Sequence, residues 1–177
     1  MAIYTRTPRV AEHACVVLVM TIDARTHIGH VHLTVSDLER ALAFYRDVLG
    51  FEVTTRYGRD AVFLSAGGYH HHIGLNTWAG RGAPPPPSGS TGLYHFAILY
   101  PSRAALAQAV RRLHEHGVPL EGAADHGVSE AVYLRDPDGN GIELYRDRPE
   151  SDWPRATDGR LVMHTLPLDV DALLSEA

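Results

Sequence analysis

The chain has 177 residues, of which 45% are apolar and 21% charged, with a formal net charge of −5. That length supports one well-buried domain, and this balance excludes an intrinsically disordered chain. Negative charge without a basic run argues against nucleic acid or an anionic membrane as partner. One cysteine, Cys15, excludes a disulfide framework and a thiolate zinc site, and a cytoplasmic location is expected. Histidine is abundant, with 12 in all, which points toward metal or proton chemistry.

Residues 1–26 read as an N-terminal arm. Its apolar run Ala14–Met20 is far shorter than the roughly 20 residues that span a bilayer, so no membrane association is expected. His30–Val35 then alternates like a half-buried strand. Ser36-Asp37 caps a helix with Leu38, Ala41, Leu42 and Tyr45 at helical spacing, closed by Gly50. Strand-like runs follow at Glu52–Tyr57, Ala61–Ser65 and His71–Thr77. A Pro-, Gly- and Ser-rich linker occupies residues 80–92.

The second half repeats the order. Leu93–Tyr100 alternates, Pro101-Ser102 opens a helix with Leu106, Val110 and Leu113 on one face, and Gly117 ends it. Ala124–Ser129, Ala131–Arg135 and Gly141–Arg146 are extended, the last two joined by a β-turn at Asp136–Gly139 that has no catalytic role. Both halves therefore read β-α-β-β-β, as an α+β fold of paired modules: residues 27–79, the linker, and residues 93–148. Residues 149–177 are expected to pack as a tail on this domain of residues 27–148.

Alternation sorts the side chains. Val31, Leu33 and Val35 face the helix of the first half, leaving His30, His32 and Thr34 opposite. Phe96 and Ile98 do the same in the second half, leaving His95. Ile142 and Leu144 pack inward, leaving Glu143 with Tyr145. The repeat-related His30 and His95 can thus converge with Glu143 on one concave face. Two imidazoles and a carboxylate suit an octahedral metal with three open positions, and catalytic zinc accepts the same set.

These residues resemble the vicinal oxygen chelate superfamily. The resemblance rests on His30–Ala41 (HVHLTVSDLERA), Phe44–Phe51 (FYRDVLGF), Leu93–Phe96 (LYHF) and Leu134–Tyr145 (LRDPDGNGIELY). It covers about His27 to Arg148. It implies paired βαβββ modules forming an open, cup-shaped sheet around a metal. The superfamily includes glyoxalase I, thiol-transferring fosfomycin-resistance proteins, drug-binding proteins without catalysis, and extradiol ring-cleaving dioxygenases. In the extradiol enzymes a histidine on each first strand and a glutamate on the final strand hold the metal, and His30, His95 and Glu143 match those places.

Further matches are His126 in a His-Gly segment, Tyr133 ten positions before Glu143, and His71 opening a His-x-x-Gly-Leu run. The resemblance gives His126 a contact with bound oxygen or substrate, Tyr133 a hydrogen bond to the substrate hydroxyl, and His71 an acid–base role. His72 faces opposite to His71, so a one-residue register shift would exchange them. The second glutamate expected of a glyoxalase is replaced by Gly74. Classical extradiol enzymes have four modules and a longer His126–Tyr133 interval. The whole is similar to short catechol 2,3-dioxygenase-like proteins, acting on an aromatic diol with O2 in aromatic compound catabolism. Iron(II) is the expected metal, with manganese, nickel or zinc as alternatives, and no organic cofactor is expected. The alternative activities are a metal-dependent lyase or transferase of the glyoxalase or fosfomycin-resistance type, or small-molecule binding alone. A homodimer is the expected assembly.

Overall fold

A computed structural model describes residues 21–177. The apolar run Ala14–Met20 and the rest of residues 1–20 lie outside the described residues, and residues 21–26 form an exposed turn closed by the Thr26 N–H donating to the Asp23 carbonyl. The first alternating run becomes β1 (Val31–Thr34), with Leu33 and Val35 buried and His30, His32 and Thr34 exposed. The Asp37 carboxylate then accepts from the Arg40 N–H and starts α1 (Leu38–Leu42).

Sequence spacing predicts an ordinary helix as far as Gly50. Instead, α1 widens into a π-helical turn over Ala43–Val48, where the Leu49 N–H donates five residues back to Phe44. The extra residue per turn lets the adjacent Phe44 and Tyr45 both face inward, edge to face.

Strands β2 (Glu52–Tyr57), β3 (Ala61–Ser65) and β4 (Ile73–Asn76) complete an open four-stranded sheet of order β1-β4-β3-β2. Its first and last strands run parallel, with Val31 paired to Ile73 and His32 to Gly74. The second half follows the same plan with β5 (Phe96–Leu99), α2 (Arg103–Glu115), β6 (Gly122–Asp125), β7 (Ser129–Arg135) and β8 (Gly141–Asp147). Here β5 runs parallel to β8, pairing Phe96 with Ile142 and Ala97 with Glu143. The fold is α+β, and neither sheet closes into a barrel.

Two expectations are corrected. The extended run expected over Ala124–Ser129 breaks at His126-Gly127: Gly127 has φ +77, its N–H donates to the Asp125 carboxylate, and the His126 N–H donates to Ser129. The positive φ and the aspartate acceptor favour a turn over a strand there. The second sheet also gains a fifth strand, β9 (Leu166–Pro167), which returns from the tail to pair with β6. The tail ends in α3 (Val170–Leu174), whose Leu173 is buried among the core residues beside α2.

One apolar core runs through both halves. The modules meet through the Asp136–Gly139 turn: Tyr45 O–H donates to Asp136 (2.8 Å), and Ser36 and Arg40 both donate to Asp138. From the other side Arg112 donates to the carbonyls of Val48 and Leu49. Burial, together with the charge of Asp136, raises the Tyr45 pKa well above its ordinary value, so it stays a donor. Among the described residues no helix is long and apolar enough to cross a membrane.

Candidate metal centre

The exposed faces of the two sheets carry the residues singled out from the sequence, in two groups. In the second sheet, Glu143 sits on β8 directly across from Tyr133 on β7, and His95 precedes β5 on the strand beside it. His95 reaches this place because Gly141 has no side chain; a Cβ there would run into the Tyr94 carbonyl and lie 3.1 Å from the His95 Cβ. His95 Nε2 lies 3.0 Å from Glu143 Oε2. The Tyr133 O–H has two acceptors within reach, Glu143 Oε1 at 3.2 Å and His126 Nε2 at 2.7 Å. Burial, then the negative charge of Glu143 and the hydrogen bond to it, push the Tyr133 pKa up to about 12. The phenol therefore keeps its proton at neutral pH. Beside this group lies a half-open cleft of ≈ 270 Å³ lined by Tyr94, His95, Tyr133 and Arg135. That is just below the range of ligand sites, which starts at about 300 Å³.

The first sheet holds the other group. The His30 ring lies 4.5 Å from the His71 ring, and His71 also touches Phe63 and His70. Burial, and then the neighbouring His30 and other imidazoles, lower the His71 pKa. His72 is turned away: its Nδ1 lies 3.0 Å from Ser65 Oγ and accepts from the Ala66 N–H. Gly74 is covered by His32, whose ring a Cβ would approach to 2.9 Å. Phe63 and Trp78 hold that ring in place. The position where a glyoxalase-type carboxylate would project is thus filled by an imidazole.

The structure brings His95, Glu143, Tyr133 and His126 together, and separately His30 with His71. Among the described residues no three His, Cys, Asp or Glu side chains form a metal-binding group, so His30 does not join His95 and Glu143 within one chain. The pair itself suits a metal. Donors bound at about 2.1 Å in neighbouring octahedral positions lie roughly 3 Å apart, which is the separation of His95 Nε2 and Glu143 Oε2.

Sequence reasoning missed the contacts that hold His126. Its Nδ1 is 2.9 Å from the His164 carbonyl, a tail residue to which no motif pointed. The glycine of the His-Gly pair was a visible signal of the turn; the strand that crosses it was not.

Comparison with known proteins bears on the family and the fold. The glyoxalase/bleomycin resistance protein/dioxygenase superfamily matches residues 27–144. A protein of Bacillus subtilis named catechol-2,3-dioxygenase is 48% identical over 158 residues, 89% of this chain and 54% of that protein. Biphenyl-2,3-diol 1,2-dioxygenase 3 of Rhodococcus globerulus is 33% identical over 129 residues, 72% of this chain and 66% of that protein. The chain thus spans about half the length of the first of these relatives. A crystal structure of a glyoxalase/dioxygenase from Nostoc punctiforme superposes with a TM-score of 0.60 at 21% identity, covering 74% of this chain and 99% of that one. By its family match and its fold, this chain belongs to the glyoxalase/bleomycin resistance protein/dioxygenase superfamily.

Proposed function

We propose that this protein is a metal-dependent extradiol dioxygenase that opens a catechol-type ring with O2. The observation that carries the proposal is the half-buried line His95–Glu143–Tyr133–His126 on one sheet face, a donor pair flanked by a protonated phenol and an imidazole. The names of the Bacillus and Rhodococcus relatives support the same class.

His95 and Glu143 would hold the metal, iron(II) first among candidates, with His30 supplied by the first sheet of a second copy. When bound, such an ion supplies positive charge that lowers the pKa of a diol hydroxyl, and a redox couple for O2. The chain's own groups do the rest. Tyr133 keeps its proton at neutral pH and orients one diol oxygen by hydrogen bonding. His126 Nε2 is placed to exchange a proton with the Tyr133 oxygen. His71 lies beside His30 and comes to the same site with it, where its depressed pKa leaves a neutral imidazole ready to accept a proton.

The test is anaerobic loading with iron(II), followed by catechol and air. Oxygen uptake matched to diol consumption, with a yellow ring-opened semialdehyde, is the expected outcome. A fully loaded protein that takes up no oxygen with any of a panel of catechols refutes the assignment.

A further inference from the structure

Residues 154–167 leave the second module and come back across the corner between β6 and β7. Arg155 bridges to Leu161, the Val162 N–H donates to Pro154, and β9 pairs with Ala124 and Asp125. The buried Leu173 on α3 ties down the far end. The segment closes on His126: His164 O lies 2.9 Å from the ring Nδ1, and the His164 N–H donates to the His126 carbonyl (3.3 Å). Gly127 makes room for it. A Cβ at this φ +77 position would lie 2.6 Å from His164 Cε1 and 2.8 Å from Pro154 Cγ.

A carbonyl oxygen can only accept, so Nδ1 facing it must carry a hydrogen. The neutral ring then presents a bare lone pair at Nε2, which at 2.7 Å competes for the single Tyr133 hydrogen with the more distant Glu143 Oε1 at 3.2 Å. The Thr165 hydroxyl is the competing partner for Nδ1, but at 3.5 Å it is at the limit of a hydrogen bond. We infer that residues 154–167 are a positioning strap: the His164 carbonyl locks His126 in the Nδ1–H tautomer and aims Nε2, as an acceptor, at Tyr133. The strap lies outside residues 27–144, where the family match runs. Its role in turnover rests on the proposed function; its role in the tautomer does not.

The experiment is nitrogen NMR of the full-length chain carrying ring-labelled histidine, kept diamagnetic with Zn(II). The expected spectrum of His126 has a protonated Nδ1 and an unprotonated Nε2. Thr165→Val should leave that pattern in place. Gly127→Ala, pushing the strap away, should mix the tautomers and lower kcat of the iron(II) enzyme by about 100-fold. Its KM for catechol should stay within about twofold, because substrate contacts are untouched. An Nε2–H tautomer in the unaltered protein overturns the inference, as does a switch of tautomer in Thr165→Val. So does a Gly127→Ala protein with unchanged spectrum and kcat. If Gly127→Ala does not fold, the unaltered protein's spectrum decides alone. Absence of oxygen uptake by the unaltered protein refutes the dioxygenase reading and leaves the tautomer result standing.

Discussion

At the scale of single residues, the second half-site is shaped as much by an absent side chain as by its donors. Gly141 lets the Tyr94 backbone lie close against the start of β8, and His95 follows directly on it. Gly141→Ala sets a methyl against a carbonyl that cannot swing aside. The expected cost is about 1–3 kcal/mol of stability, with loss of metal, read by thermal melting and metal analysis. His95→Ala should separate the two effects: the melting temperature holds within a few degrees while retained metal disappears. Full metal content in His95→Ala would show that the ligand assignment is wrong. Which face each of these residues occupies was legible, because period-two alternation puts His95, Glu143 and Tyr145 opposite the packed Phe96, Ile142 and Leu144. The separation between His30 and the second-half pair was not, because alternation fixes the face of a strand and says nothing of how two sheets meet.

Among the elements, the β6–β7 corner is held by Asp125, which accepts from the Gly127 N–H and the Arg148 guanidinium. Burial alone would raise the Asp125 pKa; those two contacts outweigh it and hold the carboxyl below its ordinary 3.8. A carboxylate lowered in the folded state stabilises the fold above its unfolded value, and that contribution fades as pH falls through the folded value. Asp125→Asn should therefore cost roughly 1–2 kcal/mol at neutral pH, a drop of several degrees in Tm. The gap between variant and parent should close below about pH 3.8. A gap that persists unchanged to lower pH would assign the effect to shape instead of charge. The long elements were readable: β2 and β3 fall on the predicted residues, and α2 buries the predicted Leu106, Val110 and Leu113. The π turn was not, because two adjacent buried aromatics look like one helical stripe with a neighbour. Strand β9 was not either, since a two-residue strand carries no periodicity.

For the whole molecule, the proposed function implies that the two open sheets leave two incomplete sites in each chain. Exposed Ile28 and Trp78 flank the first, and exposed Leu93 and Tyr94 flank the second. Apolar groups so placed suit burial against another copy, with the His30 face of one chain meeting the His95–Glu143 face of its partner. A dimer by native mass spectrometry is the expected state. The sharper measurement mixes two inactive variants, His30→Ala and Glu143→Ala. A mixed dimer with exchanged faces regains one intact site and with it metal and oxygen uptake. If each chain closes its own site, the mixture stays inactive and the exchange is refuted.

The parallel pairing of β5 with β8 carries a consequence for how the protein is made. These strands lie side by side although α2, β6 and β7 run between them in the chain. Helix α2 needs only local contacts, whereas this pairing must wait for a long loop to close. A nascent chain halted before Gly141 has its His95 but no Glu143 to set beside it. The donor couple therefore exists only once β8 has been made and that loop has closed, and a chain halted earlier has no such couple with which to capture an ion.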